Sequence, residues 1–228
     1  MKALYFEEHG EREVLQYGDL PNLVNKENHV LIKVEACALN HLDVWIRKGW
    51  PGLNLEMPHI GGSDVSGIVV EGKGSWKEGD KVVVDPGISS TEDSWTEKGL
   101  DSMSPGYKIL GEHISGGCAE YVSVPVENVH KRPESLTASQ AAAPLLAGLT
   151  AYRMLVTRAK IQKGDNVLVM GSTGFDGDAR PGSRSIVCSC LVKEPGGTIV
   201  VQLNIVEAIV AKVQGNQSSE GCSEGVAC

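Results

Sequence analysis

Seven consecutive residues, Gly171-Ser-Thr-Gly174-Phe-Asp-Gly177, have types and spacing suited to holding a phosphate. Glycines three apart let the backbone come close to an anion and adopt positive φ. A turn leading from a strand into a helix also aims unpaired N–H groups at that anion. The apolar run Asn166-Val-Leu-Val-Met170 just before the turn has the pattern of a buried parallel strand. The turn therefore reads as a pyrophosphate cradle for a dinucleotide, with Gly171, Ser172, Thr173, Gly174 and Gly177 as its residues. The sequence beyond it does not continue the pattern. Pro181 and Gly182 break the helix that should follow, and Glu194, the one acidic residue near the spacing expected for a ribose hydroxyl, reads rather as a surface charge.

The thiols are the other reactive set. Cys37 and Cys118 lie in the first 187 residues, whereas Cys188, Cys190, Cys222 and Cys228 crowd the last 41. Met1 to Tyr17 has no apolar core of signal-peptide type and no window approaches a transmembrane span, so a cytoplasmic chain with reduced thiols is expected. The net charge of −8 comes without basic runs, which argues against nucleic-acid and membrane partners and for a small neutral or anionic metabolite.

Two regions must position these groups. His29 to Leu39 alternates with β-branched residues on one parity, and short β-rich runs follow at Gly67 to Glu71, Lys81 to Asp85 and Glu120 to Val124. Turn pairs at Pro51-Gly52, Gly61-Gly62, Gly79-Asp80 and Pro86-Gly87 separate them, which predicts a compact, barrel-like β domain over residues 1–136. At Thr137-Ala-Ser-Gln140 a capping box opens an Ala/Leu-rich helical stretch running to Leu155, with a break near Ala147-Gly148. Residues 137–177 thus form interdomain helices, a first strand and the glycine turn of an α/β segment. Residues 165–228 number 64, room for about two βαβ units at roughly 30 residues each, so a six-stranded dinucleotide sheet does not fit. Residues 178–228 diverge: ten of eleven aromatics precede Gly174, and the last residues form a Gly/Ser/Glu-rich tail.

Five segments in register, Ala38-Leu-Asn-His-Leu-Asp43, Pro58-His-Ile-Gly-Gly-Ser-Asp-Val-Ser-Gly67, Gly79-Asp-Lys-Val82, Gly116-Gly-Cys-Ala-Glu-Tyr121 and Ala147-Gly-Leu-Thr-Ala-Tyr152, resemble the medium-chain dehydrogenase/reductase family, quinone-oxidoreductase-like members most. The resemblance runs from Met1 to about Gly174. It implies a mainly β GroES-like barrel domain followed by an incomplete α/β Rossmann-type segment, with the active site in the cleft between them. It also implies NADPH or NADH as cofactor and a small carbonyl or quinone as substrate. Relatives usually form homodimers through the Rossmann sheet, which residues 165–228 are too few to complete.

Zinc alcohol dehydrogenases of the family carry ligands where this chain has Asn40, Ser63-Asp64 and Leu146, and Asn, Ser and Leu supply no thiolate, imidazole or carboxylate. A replacement set from Cys37, His41 and Asp64 is conceivable, although Cys37 on a strand reads as core. The structural-zinc lobe keeps its spacing with Ser90, Asp93, Thr96 and Ser104, oxygens that do not suit zinc. His113 beside Gly111-Glu112 reads as a surface or hydrogen-bonded residue. No zinc is expected. The resemblance then places Asn40 as an amide donor to a substrate carbonyl or the nicotinamide ribose, unless it caps a turn at a strand end. His41 could relay a proton, Asp43 could orient a neighbour, and Thr150 lies near the cofactor or packs a helix. Three functions stay open: a zinc-free reductase of quinones or α,β-unsaturated carbonyls, a zinc-dependent alcohol dehydrogenase, and a non-catalytic fragment or frame-shifted product.

Overall fold

The computed structural model describes residues 1–89, 93–162, 167–170, 186–194, 197–205 and 210–211, the last four stretches by their backbone. The elements in chain order are β1 (Lys2–Phe6), β2 (Gln16–Asp19), β3 (His29–Ala38), α1 (His41–Lys48), β4 (His59–Ile60), β5 (Asp64–Glu71), β6 (Lys81–Val84), β7 (Gly87–Ser89), β8 (Tyr107–Ile109), β9 (Tyr121–Pro125), β10 (Val129–Lys131), α2 (Ala138–Ala142), α3 (Leu145–Tyr152), β11 (Val167–Met170), β12 (Ile186–Glu194), β13 (Gly197–Ile205) and β14 (Val210–Ala211).

The largest sheet is organised by β3, which pairs antiparallel with β5 on one side and with β9 and β14 on the other. In β3 the alternation predicted from sequence is met by Val30, Ile32 and Val34, all buried, with Lys33 exposed between them. The alternation ends at Ala36, Cys37 and Ala38, three buried residues in a row. There α2 packs on β3 and β5, and a strand covered on both faces needs small or apolar residues at every position. Register slips between Leu31 and Ile32 and between Val34 and Ala36 bend the strand as it approaches Asn40. The core is aliphatic, built on Ile32, Val65, Val69, Val82, Val84 and Val124.

An ion pair between buried Arg132 and partly exposed Glu35 ties the sheet across three segments. Arg132, 6% exposed, donates from Nη1 to Glu35 Oε2 at 2.7 Å and to Ser66 Oγ at 3.1 Å, joining the chain after β10 to β3 and β5. Removing one partner of such a pair leaves an uncompensated charge.

The capping box at Thr137 forms as predicted: the hydroxyl accepts from Gln140 N at 3.2 Å, and Gln140 Oε1 accepts from Thr137 N at 3.0 Å. The helix break falls elsewhere. It comes at Ala143-Pro144 and not at Ala147-Gly148, because Pro144 has no N–H to continue α2 and instead opens α3. α3 runs on into a π-helical stretch, Arg153–Arg158. β11 forms where a first Rossmann strand is expected, but it pairs antiparallel with β12, which in turn pairs antiparallel with β13. The parallel pairing read from its apolar pattern is therefore not what this strand adopts. A short apolar run shows only that both faces are covered, not the direction of the neighbour.

Candidate functional site

Asn40 stands where β3 ends and α1 begins, with the extended backbone of a helix N-cap (φ −120°, ψ 163°). Its backbone N–H donates to Asp43 Oδ2 at 2.7 Å, and Asp43 N donates to Asn40 O at 3.0 Å, a reciprocal closure of the first turn. The other Asp43 oxygen, Oδ1, accepts from Gly62 N at 2.7 Å. The sequence puts Asp43 three residues into α1, so its carboxylate satisfies one orphan donor of its own helix and one of the facing Gly61-Gly62 loop. Burial raises the Asp43 pKa, against which the backbone N–H groups of Asn40 and Gly62 act.

The Asn40 side chain has a different partner. Its Nδ2 donates to Asp64 Oδ2 at 2.9 Å. Asp64, 1% exposed, begins β5, and its second oxygen, Oδ1, accepts from the backbone N–H of Leu146 at 2.6 Å. Leu146 lies in the first turn of α3, where four N–H groups have no helical acceptor and a carboxylate is favoured. One buried carboxylate thus joins the end of β3, the start of β5 and the start of the interdomain helix. Burial lifts its pKa from 3.8 to about 7, with the Asp43 charge adding to the rise and the bonds from Asn40 and Leu146 opposing it.

Ser63, next to Asp64, is fully buried, and its Oγ has no hydrogen-bond partner. His41 lies edge-on to Trp45, ring centroids 4.8 Å apart, and Trp45 is 47% exposed. Thr150 does not turn its hydroxyl outward: Oγ1 donates to Leu146 O at 2.8 Å, one helical turn back. Asn40, Asp43 and Asp64 are therefore brought together with Leu146, whereas Thr150 is engaged within α3. Gly171, Ser172, Thr173, Gly174 and Gly177 lie outside the described residues.

Glycines set how closely the loops around this node approach. Gly62 has φ +91°, and a Cβ there would lie 2.5 Å from Cys37 Sγ and 2.6 Å from Cys118 Sγ. A Cβ on Gly116 would meet the Gly62 carbonyl oxygen at 2.2 Å, and one on Gly111 would meet the Gly62 carbonyl carbon at 2.8 Å. Beneath them His59, 1% exposed, bonds through Nε2 to Gly111 O at 3.1 Å, and burial holds its pKa below the usual value. His59, Gly62 and Gly116 were not legible as parts of a site. The sequence marked them only as members of two family-like segments and by the density of glycine at Gly61-Gly62 and Gly116-Gly117, which reads as turns.

The lobe between β7 and β8 has a hydrogen-bonded centre. Asp93 Oδ1 accepts from Trp95 N at 2.8 Å and Thr96 N at 3.0 Å, and Asp93 Oδ2 accepts from Ser104 Oγ at 2.7 Å. Thr96 Oγ1 donates to Asp93 O at 2.9 Å. Ser104 is the main cause of a lowered Asp93 pKa, the backbone N–H of Thr96 the next. Ser90 lies outside the described residues. His113 Nδ1 accepts from Ile109 N at 3.1 Å in a half-open position. Cys37 is buried in the core, as its place on a strand suggests, and among the described residues no three His, Cys, Asp or Glu side chains converge as a metal set. No helix among the described residues is long and apolar enough to cross a membrane.

Residues 26–134, which contain Asn40, Asp43 and Asp64, match the alcohol dehydrogenase GroES-like domain family. Human quinone oxidoreductase is 34% identical over 178 residues, covering 76% of this chain and 46% of the human protein. The chain belongs to the medium-chain dehydrogenase/reductase family. The crotonyl-CoA carboxylase/reductase of Cereibacter sphaeroides is 34% identical over 183 residues, 75% of this chain and 43% of that protein. Among solved structures, an NAD-dependent alcohol dehydrogenase superposes with a TM-score of 0.69 at 40% identity, covering 72% of this chain and 49% of the other. The GroES-like fold expected for the first domain is thus the fold the chain has. The chain spans about half the length of the relatives it matches.

Proposed function

We propose that this chain acts as a nicotinamide-dependent oxidoreductase of the quinone oxidoreductase-like type, transferring hydride to a quinone or an α,β-unsaturated carbonyl without a catalytic zinc. The observation that carries this reading is the Asp64 carboxylate, whose two oxygens are taken by Asn40 Nδ2 and Leu146 N–H where zinc-type relatives gather metal ligands. A tetrahedral zinc needs thiolate, imidazole or carboxylate donors, three from the protein in a catalytic site. Asn40, Ser63 and Leu146 offer an amide, a buried hydroxyl and a backbone N–H, and this set does not fit the metal.

When bound, NADPH or NADH would supply the hydride, its pyrophosphate falling to the turn at Gly171, Ser172, Thr173, Gly174 and Gly177, outside the described residues. Asn40 gives one amide hydrogen to Asp64, which orients the group and leaves the second hydrogen for a substrate oxygen on which charge develops. Asp43 fixes the backbone beneath it by holding Asn40 N and Gly62 N. His41, adjacent in sequence and steadied by Trp45, is the group that can deliver a proton to the resulting enolate or hydroquinone oxygen. Such substrates need only a hydrogen bond at oxygen, because conjugation spreads the charge, whereas a simple alcohol relies on a metal.

The antiparallel pairing of β11 with β12 supports a second reading, in which the catalytic domain is intact but the chain does not build a parallel dinucleotide sheet and is not a catalyst. Titrating the purified chain with NADPH while following nicotinamide fluorescence separates the two. The reductase reading expects quenching or a blue shift, turnover of a benzoquinone, and a lower kcat for Asn40→Ala at little changed KM. No binding at millimolar cofactor, with the β domain folded by circular dichroism, would overturn it in favour of the second. Metal analysis giving about one zinc per chain would instead restore the alcohol dehydrogenase alternative.

A further inference from the structure

Two buried thiols lie directly behind the Gly61-Gly62 loop and take no part in the proposed chemistry. Cys37 comes from the end of β3 and Cys118 from the segment before β9, 81 residues apart in sequence, and their sulfurs are 3.9 Å apart. Cys37 is 1% exposed and Cys118 is 8% exposed. The Gly62 backbone passes over both sulfurs, and only a residue without Cβ leaves them in contact.

We propose that Cys37 and Cys118 form an oxidisable dithiol that closes to an intramolecular disulfide when the folded chain meets a hydroperoxide. The geometry requires the sulfurs to close from 3.9 Å to the roughly 2.05 Å of a disulfide. Closure needs rotation of both side chains and a shift of residues 116–119, whose backbone is hydrogen-bonded to the glycine loop. Cys118 is the sulfur nearer to solvent, so the peroxide arrives there first. Its thiolate displaces water from hydrogen peroxide after proton transfer, giving Cys118 sulfenic acid. The Cys37 sulfur then attacks the sulfenic sulfur, the S–O bond breaks, and a second water leaves. Two thiols and one peroxide thus become one disulfide and two waters. The Cys37 thiol is held well above its usual pKa by the Cys118 hydrogen bond and by burial, which slows its own reaction with peroxide, and the proton it carries leaves with the sulfenic hydroxyl as the second water. Closing the bond would also pull on Gly62, whose N–H anchors Asp43, and so on the turn that carries Asn40.

Peptide mapping of the whole chain tests this without any assay of activity. Native protein is treated with hydrogen peroxide, alkylated under denaturing conditions without reductant, and digested with trypsin. Cys37 falls in peptide 34–47 and Cys118 in peptide 109–131, each free of other cysteines. The expected product is these two peptides joined, lighter than their sum by two hydrogens, and separated again by dithiothreitol. In Cys37→Ala, Cys118 should instead accumulate as a sulfenic acid trapped by dimedone, at least several-fold above wild type. Recovery of both peptides singly alkylated after oxidation overturns the proposal, as does Cys118 sulfinic acid with Cys37 still alkylated. If Cys37→Ala does not fold, the wild-type map alone decides.

Discussion

Replacing Asp64 by Asn should remove a large pH dependence from the stability of this chain. Burial raises the Asp64 pKa from 3.8 to about 7, so over that window the native protein holds a proton that the unfolded chain has released. Stability contributed by this group is therefore fully present below about pH 4, falls as pH rises, and is lost above about pH 7. At 1.36 kcal/mol for each pH unit, the interval from 3.8 to about 7 corresponds to ~4 kcal/mol. In Asp64→Asn the amide is neutral throughout. Its oxygen can still accept from Leu146 N–H, and its NH2 can donate to Asn40 if that amide turns over, so both partners remain satisfied. His59 acts in the opposite sense, because its lowered pKa gives stability that is lost on acidification. The measurement is therefore the difference between two urea-unfolding profiles, wild type and variant, from pH 4 to pH 8. The variant should gain ~4 kcal/mol on the wild type across this range. A difference that stays flat to within about 1 kcal/mol, or that runs the other way, would refute the claim that desolvation dominates at Asp64.

Asp43→Ala leaves the backbone N–H groups of Asn40 and Gly62 without acceptors and should cost about 2–4 kcal/mol by urea unfolding, with α1 losing amide exchange protection first. Gly116→Ala forces a Cβ onto two carbonyl oxygens of the facing loop, and a loss of ~2–3 kcal/mol is expected in thermal denaturation, whereas Gly79→Ala, with open space but φ +91°, should cost less. Asp93→Ala removes the shared acceptor of Trp95, Thr96 and Ser104, so trypsin should cleave after Lys98 several-fold faster while the main sheet melts unchanged.

The parts of the fold that could be read from sequence are those where one physical rule acts alone. The first half of β3, β6 and β9 alternate because each has one face in the core, whereas β5 is buried at its first four positions, and the Thr137 capping box follows from local donors and acceptors. The two- and three-residue strands β4, β7, β8 and β10 are too short to carry a period and are defined by their partners. The helix break was misplaced because Gly148 weakens a helix only through propensity, whereas Pro144 removes a hydrogen bond. For the site, residue types singled out Asn40, His41 and Asp43 and reached Asp64 only as a member of a conceivable metal set, and the division of labour among these groups depends on tertiary approach. Sequence could not say that Asp43 serves the backbone of its own turn while Asp64 takes the Asn40 side chain and the N–H of a helix 82 residues away.

The contacts among Gly62, Gly111 and Gly116 also bear on how this region can vary. Every base change in a glycine codon that alters the encoded amino acid adds at least a Cβ, and at these positions that atom would strike backbone or buried sulfur. Point mutation therefore has no small step here, unlike an aliphatic core position where Ile can become Val. Drift in the surrounding loops must proceed around a fixed backbone junction, and variants in which these three glycines change one at a time should be scarce among functional relatives and common among inactive ones.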